Sequence, residues 1–227
     1  MFNEFKKREE FYEKYLEFYI ERFVYTAIDI EEDKDTSKIR QKKRNLLEAF
    51  KYVSNIQENV LNVWDIRDLG DLVNKDEDVP VGFRKIQVSA GAKGKFIPVR
   101  PFEIIPRLYT LIDSYTNIWC DLNPFEREAM FHIELMRIHP FEDGNKRTAK
   151  TLLNRNLIHQ KMAPVIISEA ETDQYYEFIN NRDYLGFAAF LEKKSIFELT
   201  NMVGLYKMLN QIPVDVEGND LKLRKSK

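Results

Sequence analysis

The sequence predicts a mainly α-helical protein with a single β-hairpin, and three observations support this fold class. Eight glycines and eight prolines are few for 227 residues, whereas leucine, glutamate and lysine, which favour helices, are frequent. Apolar residues recur at helical spacing along most of the chain. Only residues 83–99 combine polar–apolar alternation with central turn residues, as a hairpin does.

The first half of the chain contains three predicted helices and the hairpin. Residues 4–30 form the first helix, and a stripe through Leu46, Phe50 and Val53 marks the second. The stretch NVWDIRDLGDLV predicts a shorter helix that ends in the loop NKDEDVPVG. In the hairpin, FRKIQV is the outgoing arm, AGAKG supplies the turn and KFIPV returns.

Helix start and stop signals are strongest in the second half, after a helical pattern at 101–120. Asn123 and Pro124 suit the start of a helix, and Pro140 disfavours helix at the residue before it. That helix should therefore end just before His139. The next should begin near Gly144–Asn145, two further helical stretches follow, and the tail EGNDLKLRKSK is predicted to be mobile.

Composition excludes several classes of protein. A net charge of −2 argues against a nucleic-acid binder that works by bulk charge. Cys120 is the only cysteine, which excludes an internal disulfide and a cysteine-rich zinc site and fits a reducing cytosol. No apolar run approaches the roughly 20 residues of a membrane span. We therefore expect a cytoplasmic protein with neither a nucleic-acid nor a membrane partner.

The stretch HPFEDGNKRTAK, residues 139–150, carries the groups that phosphorus transfer requires. The helix that begins after Gly144 presents unpaired amides and the positive end of its dipole to an anion. Arg147 and Lys150 are three residues apart and reach the same anion. Asp143 suits Mg²⁺, which favours one or two carboxylates plus phosphate oxygens. His139 can take a proton from a hydroxyl near neutral pH.

This stretch also carries a family resemblance. HPFEDGNKR resembles the signature of the Fic family, His-Pro-Phe-x-Asp/Glu-Gly-Asn-Gly-Arg-x-x-Arg. The segments AMFHIELMRIHPF, GFRKIQV…FIPVRP and DQYYEFINN are similar to other parts of that family. The resemblance implies a Fic-like helical bundle with one β-hairpin flap that holds the target chain. It also implies an enzyme that uses Mg²⁺ and transfers AMP from ATP to a Ser, Thr or Tyr hydroxyl of a protein.

The resemblance implies a role for each matching residue. His139 is the general base, Phe141 a core anchor and Asp143 the Mg²⁺ ligand. Arg147 is a phosphate clamp, and Tyr176 lies near the adenine. The implied nucleotide-binding residues are Gly144, Asn145, Lys146, Arg147, Lys150 and Tyr176. The implied target-binding residues of the flap are Ile86, Gln87 and Val88.

Three points are left open by the motif. Lys146 stands where most Fic proteins have Gly, and Lys150 where they have a second Arg with its bidentate fork. NKRTA is similar to the death-on-curing toxin branch, which transfers the γ-phosphate instead of AMP. Where the family often has a later Asn, this chain offers Asn180, Asn181 or Asp183.

A second motif predicts autoinhibition. Ser54-x-x-x-Glu58-Asn59 matches the Fic inhibitory pattern Ser/Thr-x-x-x-Glu-Gly/Asn, and ENVLNVWDIRDL resembles the stretch that follows the inhibitory helix. Ser54 and Glu58 are four apart and share one helix face. We expect Glu58 to point at Lys150 and to hold ATP out of line.

The sequence therefore predicts an autoinhibited protein adenylyltransferase. Three alternatives remain: γ-phosphate transfer, AMP removal with Glu58 positioning a water, and a non-catalytic module that captures a peptide by strand addition. A homodimer is also left open. The expected organisation is an N-terminal helical extension at 1–36, an inhibitory helix region at 37–75, a catalytic core with flap at 76–200, and a C-terminal helix and tail at 201–227.

Overall fold

The computed structural model describes residues 2–27, 36–56, 61–90 and 96–210, and these residues are mainly helical, as predicted. A 3₁₀ turn at Pro101–Glu103 leads into the helix Ile104–Asp113, and a π-helical turn at Ser114–Ile118 follows that helix. The helices are α1 (Phe2–Lys6), α2 (Glu9–Ala27), α3 (Thr36–Asn55), α4 (Val63–Val73), α5 (Ile104–Asp113), α6 (Pro124–Ile138), α7 (Asn145–His159), α8 (Thr172–Asn181) and α9 (Tyr184–Leu209).

The helix predicted over residues 4–30 is two helices, because the chain turns between α1 and α2. The turn brings Phe5 and Phe11 together, with ring centroids 5.4 Å apart, and both rings pack on Tyr206 of α9. This aromatic cluster joins the start of the chain to the end of α9. The cluster depends on contacts between residues about 200 positions apart, and helical periodicity cannot predict such contacts.

The helices α6 and α7 lie at the centre of the fold. α6 packs against α9 and α5, and α7 packs against α3 and α4. The predicted buried face of α7 is confirmed: Ala149, Leu152, Leu153 and Leu157 are all buried. α2 contributes to the same hydrophobic core, and α9 runs unbroken across the predicted boundary at residue 200. Among the described helices, none combines the length and apolarity that a membrane crossing needs.

The predicted β-hairpin is reduced to one antiparallel bridge, between Ala90 and Phe96, within the described parts of its two arms. The predicted turn, residues 91–95, lies outside the described residues. Two features prevent a longer ladder. Pro98 has no N–H to donate, and the Arg84 side chain itself donates to the carbonyls of Ile86 and Val99.

The predicted boundaries around the HPFEDG loop are confirmed. The Asn123 side chain accepts a hydrogen bond from the Phe125 amide at 2.9 Å and so caps the start of α6. α6 ends at Ile138, and His139 adopts a left-handed conformation with φ 53°. α7 begins at Asn145. A loop of six residues therefore connects the end of one central helix to the start of the other.

Candidate active site

Phe141 anchors the loop between α6 and α7 in the core. Its side chain is buried, and its ring lies 5.6 Å from that of Phe83. A Cβ atom at Gly70 of α4 would overlap the Phe141 ring, so α4 has no side chain at the point where the ring packs. The Asn145 side chain bonds to both the amide and the carbonyl of Phe141, at 3.0 and 2.8 Å. The predicted role of Phe141 as a core anchor is confirmed.

His139 is held in one tautomer by the end of α6. Its Nδ1 lies 3.3 Å from the carbonyl oxygen of Met136. Because a carbonyl only accepts, Nδ1 carries the proton and Nε2 is the accepting nitrogen. The Phe96 ring stands edge-on to the imidazole, with centroids 6.3 Å apart. The histidine is therefore oriented to accept a proton through Nε2.

The environment of His139 keeps its imidazole neutral. Burial is the main cause that lowers its pKa to about 4, and the Arg84 guanidinium lowers it further. The Met136 carbonyl and the Asp143 carboxylate oppose this shift. At neutral pH the side chain is therefore in the form that a general base requires.

Arg84 braces the same loop from the flap side, a role that the strand-like alternation did not reveal. Its side chain is buried, and its Nε donates to the His139 carbonyl at 2.7 Å. Its amide donates to the Pro140 carbonyl at 2.9 Å. Burial lowers the pKa of this guanidinium. The backbone on both sides of the histidine is thus tied to the segment that leads into the flap.

Asp143 and Gly144 form the corner at which α7 begins. Gly144 has φ 78°, and a Cβ there would overlap the Asn74 side chain, so the corner requires glycine. One oxygen of Asp143 accepts from the Gly144 amide at 2.6 Å. The carboxylate is exposed to solvent. Three or more acidic, His or Cys side chains do not cluster as a metal site among the described residues. This donor set fits Mg²⁺ held by one carboxylate together with phosphate oxygens.

Arg147, the predicted phosphate clamp, is buried and paired with Glu77, which follows α4. Its Nη1 donates to Glu77 Oε1 at 2.6 Å, and its Nη2 donates to Glu77 Oε2 at 3.1 Å. The same two nitrogens donate to the Val73 carbonyl and to Asn74 Oδ1, at 3.1 and 3.2 Å. Glu77 and Asn74 were not identified from the sequence, where they belonged to an ordinary polar loop.

Lys150 lies on the inner side of α7, against α8 and the segment before it. Its ammonium is 3.4 Å from the Ile167 carbonyl oxygen and 5.5 Å from the centre of the Tyr175 ring. Tyr176, the residue predicted near adenine, is half-buried next to Tyr175. Lys146 is half-buried in the first turn of α7. Lys146 and Lys150 therefore lie on α7, and Tyr176 lies on α8 next to the Tyr175 ring that faces the Lys150 ammonium.

The structure distinguishes the three candidates for the later asparagine. Asp183 caps α9 by accepting from the Gly186 amide at 2.8 Å, and Asn181 is exposed. Both amide atoms of Asn180 are buried, and neither has a hydrogen-bond partner within the described part of the chain. Asn180 is therefore the candidate whose side chain still has hydrogen bonds to give to a ligand.

The predicted inhibitory residues lie at and beyond the end of α3. Ser54 is exposed, and its hydroxyl donates to the Phe50 carbonyl of its own helix at 2.8 Å. Glu58 lies outside the described residues. The nearby Ile56 carbonyl accepts from Arg155 of α7 at 3.4 Å. Arg155 is five residues beyond Lys150, about 7.5 Å along the helix axis. The inhibitory role of Ser54 and Glu58 stays a prediction.

Two further predictions concern residues beside the loop. His132 is a buried packing residue, as expected, and its Nε2 lies 2.8 Å from the Tyr175 hydroxyl. On the outgoing flap arm, Ile86 and Gln87 are exposed and Val88 is half-buried. These three residues lie on a segment with little described backbone pairing of its own, and their contact with a target chain stays a prediction.

Comparison with known proteins decides the family. A model of the Fic/DOC family matches residues 38–157, more than half of the chain. The chain belongs to the Fic/DOC family. The match includes the whole HPFEDGNKR motif and the flap, and it ends within α7.

Relatives and solved structures agree with this Fic/DOC assignment. Protein adenylyltransferase fic-1 of Caenorhabditis briggsae is 29% identical over 75% of this chain and 34% of its own length. Protein adenylyltransferase Fic of Drosophila mojavensis is 33% identical over 63% of this chain and 30% of its own. The chain thus spans about a third of the length of the curated relatives it matches. A Fic domain containing signaling protein from Bacteroides thetaiotaomicron shares the fold, with a TM-score of 0.75, 22% identity, and coverage of 87% of this chain and 90% of that one.

Proposed function

We propose that this chain is a protein adenylyltransferase that transfers AMP from ATP to a Ser, Thr or Tyr hydroxyl of a protein. The observation that carries the proposal is His139, a neutral imidazole with an accepting Nε2, held one loop away from the N-terminus of α7. A base for a hydroxyl and a site for phosphates are thereby placed together. The names of the curated relatives support the same activity.

In the proposed reaction, the target hydroxyl oxygen attacks the α-phosphorus of ATP. His139 Nε2 takes the hydroxyl proton as the new P–O bond forms. The bond from the α-phosphorus to the bridging oxygen breaks, and pyrophosphate leaves with that electron pair. The first amides of α7 have no carbonyl partner within the helix, so they can bind the phosphates. Positioning and charge stabilisation supply most of the rate enhancement.

We propose that Asp143 holds Mg²⁺ and that the ion, when bound, neutralises charge on the phosphate oxygens. We propose that Lys146 and Lys150 act from the first turns of α7, and that Tyr176 and Asn180 meet the adenine. Asn180 suits this role because its buried amide atoms have no partner among the described residues.

The exposed arm with Ile86, Gln87 and Val88 would pair with the target chain. Cys120 is a free, exposed thiol, which supports a reducing, cytoplasmic location.

Two labelled nucleotides test the proposed activity. ATP labelled at the α-phosphate is expected to mark protein, either this chain itself or a target in an extract. ATP labelled at the γ-phosphate is included because NKRTA, which contains Lys146, resembles the toxin branch that transfers this group. Label only from the γ-phosphate would replace AMP transfer by phosphotransfer. Label from neither, together with no ATP binding by calorimetry, would favour a peptide-binding module.

The pH dependence of transfer tests the assignment of the base. Because the pKa of His139 is lowered to about 4, kcat/KM is expected to stay level between about pH 5.5 and 7.5. A histidine with the ordinary pKa of about 6.5 would instead lose activity as the pH falls through that value. Burial raises the pKa of Glu128 to about 7, so Glu128→Gln is the control that removes this titration. A half-maximal rate near pH 6.5 in both proteins would contradict the assigned environment of His139.

A further inference from the structure

The four terminal N–H groups of Arg147 are all directed at acceptors of the protein. Nη1 bonds to the Val73 carbonyl and to one oxygen of Glu77, and Nη2 bonds to Asn74 and to the other oxygen of Glu77. A guanidinium has five N–H groups, of which only the one on Nε remains. A phosphate could be gripped in a fork only if these bonds were given up.

The same contacts leave Glu77 dependent on Arg147. The Glu77 side chain is 12% exposed and the Arg147 side chain 7%, so water can replace little of their pairing. If Arg147 moved to a phosphate, Glu77 would keep a buried charge without its main partner. Because the two oxygens of Glu77 accept from Nη1 and Nη2, the pairing also fixes the orientation of the guanidinium.

The turn that carries Glu77 is itself fixed, and it is tied to the catalytic loop at two points. Asn45 of α3 is buried and donates to the carbonyls of Val73 and Lys75, at 3.3 and 2.6 Å. Asn74 donates to the Asp143 carbonyl at 3.0 Å. Arg147 and Asn74 therefore form two parallel links between this turn and the corner at which Asp143 stands.

We propose that Glu77 is a positioning residue that holds Arg147 as a strut beneath the catalytic loop, so that Arg147 does not act as a phosphate clamp. The inference deepens the proposed function and rests on it. Glu77 sets the position of Asp143 and of the first turn of α7, while the helix amides and the lysines contact the phosphates. Loss of Glu77 then disturbs alignment for transfer more than it disturbs ATP binding.

The test is Glu77→Gln in the full chain, because Gln keeps the shape but places an amide N–H₂ against the guanidinium. The kcat for incorporation of α-labelled AMP is expected to fall by about 10- to 100-fold, while KM for ATP changes by no more than about twofold. Amide hydrogen exchange across residues 139–147 should become faster. Glu77→Asp retains the charge and should recover part of both effects, which also covers the case in which the Gln variant folds poorly.

Glu198→Gln is the matched control, since Glu198 is also largely shielded from solvent and is paired with an arginine, Arg22, between α9 and α2. It should leave kcat and the exchange of residues 139–147 unchanged. Tighter ATP binding with faster transfer by Glu77→Gln would show that Glu77 competes with phosphate for Arg147, and would overturn the strut. Unchanged kcat and exchange would overturn it as well. If the wild type transfers no AMP, the proposed function fails, while hydrogen exchange still decides the role of Glu77.

Discussion

Replacing His139 with alanine is expected to lower AMP transfer by about 10²- to 10⁴-fold, the usual contribution of a general base. Affinity for Mg-ATP should change little. His139 Nε2 acts on the target hydroxyl, and the loop around it is held by other residues: Phe141 in the core and Arg84 on the His139 and Pro140 carbonyls. The measurements are incorporation of α-labelled AMP and ATP binding by calorimetry.

His159→Ala is the control for this substitution, because it removes a histidine at the opposite end of α7. It should leave both transfer and binding at the wild-type level. A comparable loss of ATP affinity in His139→Ala would mean that the histidine holds the loop or the nucleotide. The assignment of His139 as the base would then be wrong.

Glu58→Gly is expected to raise AMP transfer, including self-modification, by up to about 100-fold. The expected reason is that Glu58 neutralises Lys150 and crowds the γ-phosphate, and misalignment of about 1 Å costs on the order of 100-fold. Ile56, two residues earlier, contacts Arg155. Lys150 lies about 7.5 Å from Arg155 along the axis of the same helix. The last described residue before Glu58 therefore lies against the helix that carries Lys150.

The chain offers a matched comparison for this prediction in Glu31→Gly. Glu31 is an acidic residue outside the predicted inhibitory motif, so the same substitution there should leave AMP transfer at the wild-type rate. Rates of α-label incorporation are compared under the same Mg-ATP concentration. Wild-type rates in a well-folded, active Glu58→Gly variant would rule out the brake and leave SNIQEN as helix surface.

Features that depend on a few neighbouring residues could be read from the sequence. The pair Asn123–Pro124 and the stop at Pro140 placed α6, and the stripe through Ala149 and Leu153 identified the buried face of α7. These features are local, because caps, proline restrictions and helical periodicity act within one or two turns. The sequence predicted a longer hairpin than the structure forms. Polar–apolar alternation does not show that Pro98 lacks an N–H donor, or that the Arg84 side chain binds two carbonyls of the arms.

By itself, the sequence determined that this chain is helical, that it carries the Fic motif at 139–147, and which groups there can act as base, metal ligand and anion site. Only the tertiary structure decided how those groups are held. Glu77 meets Arg147 across 70 residues, and Gly70 admits the Phe141 ring from a different helix. The pKa of His139 is lowered mainly by its burial among segments that are distant in the sequence, and the motif alone does not show this. Such effects depend on which helices pack together, and no local pattern in the chain encodes that.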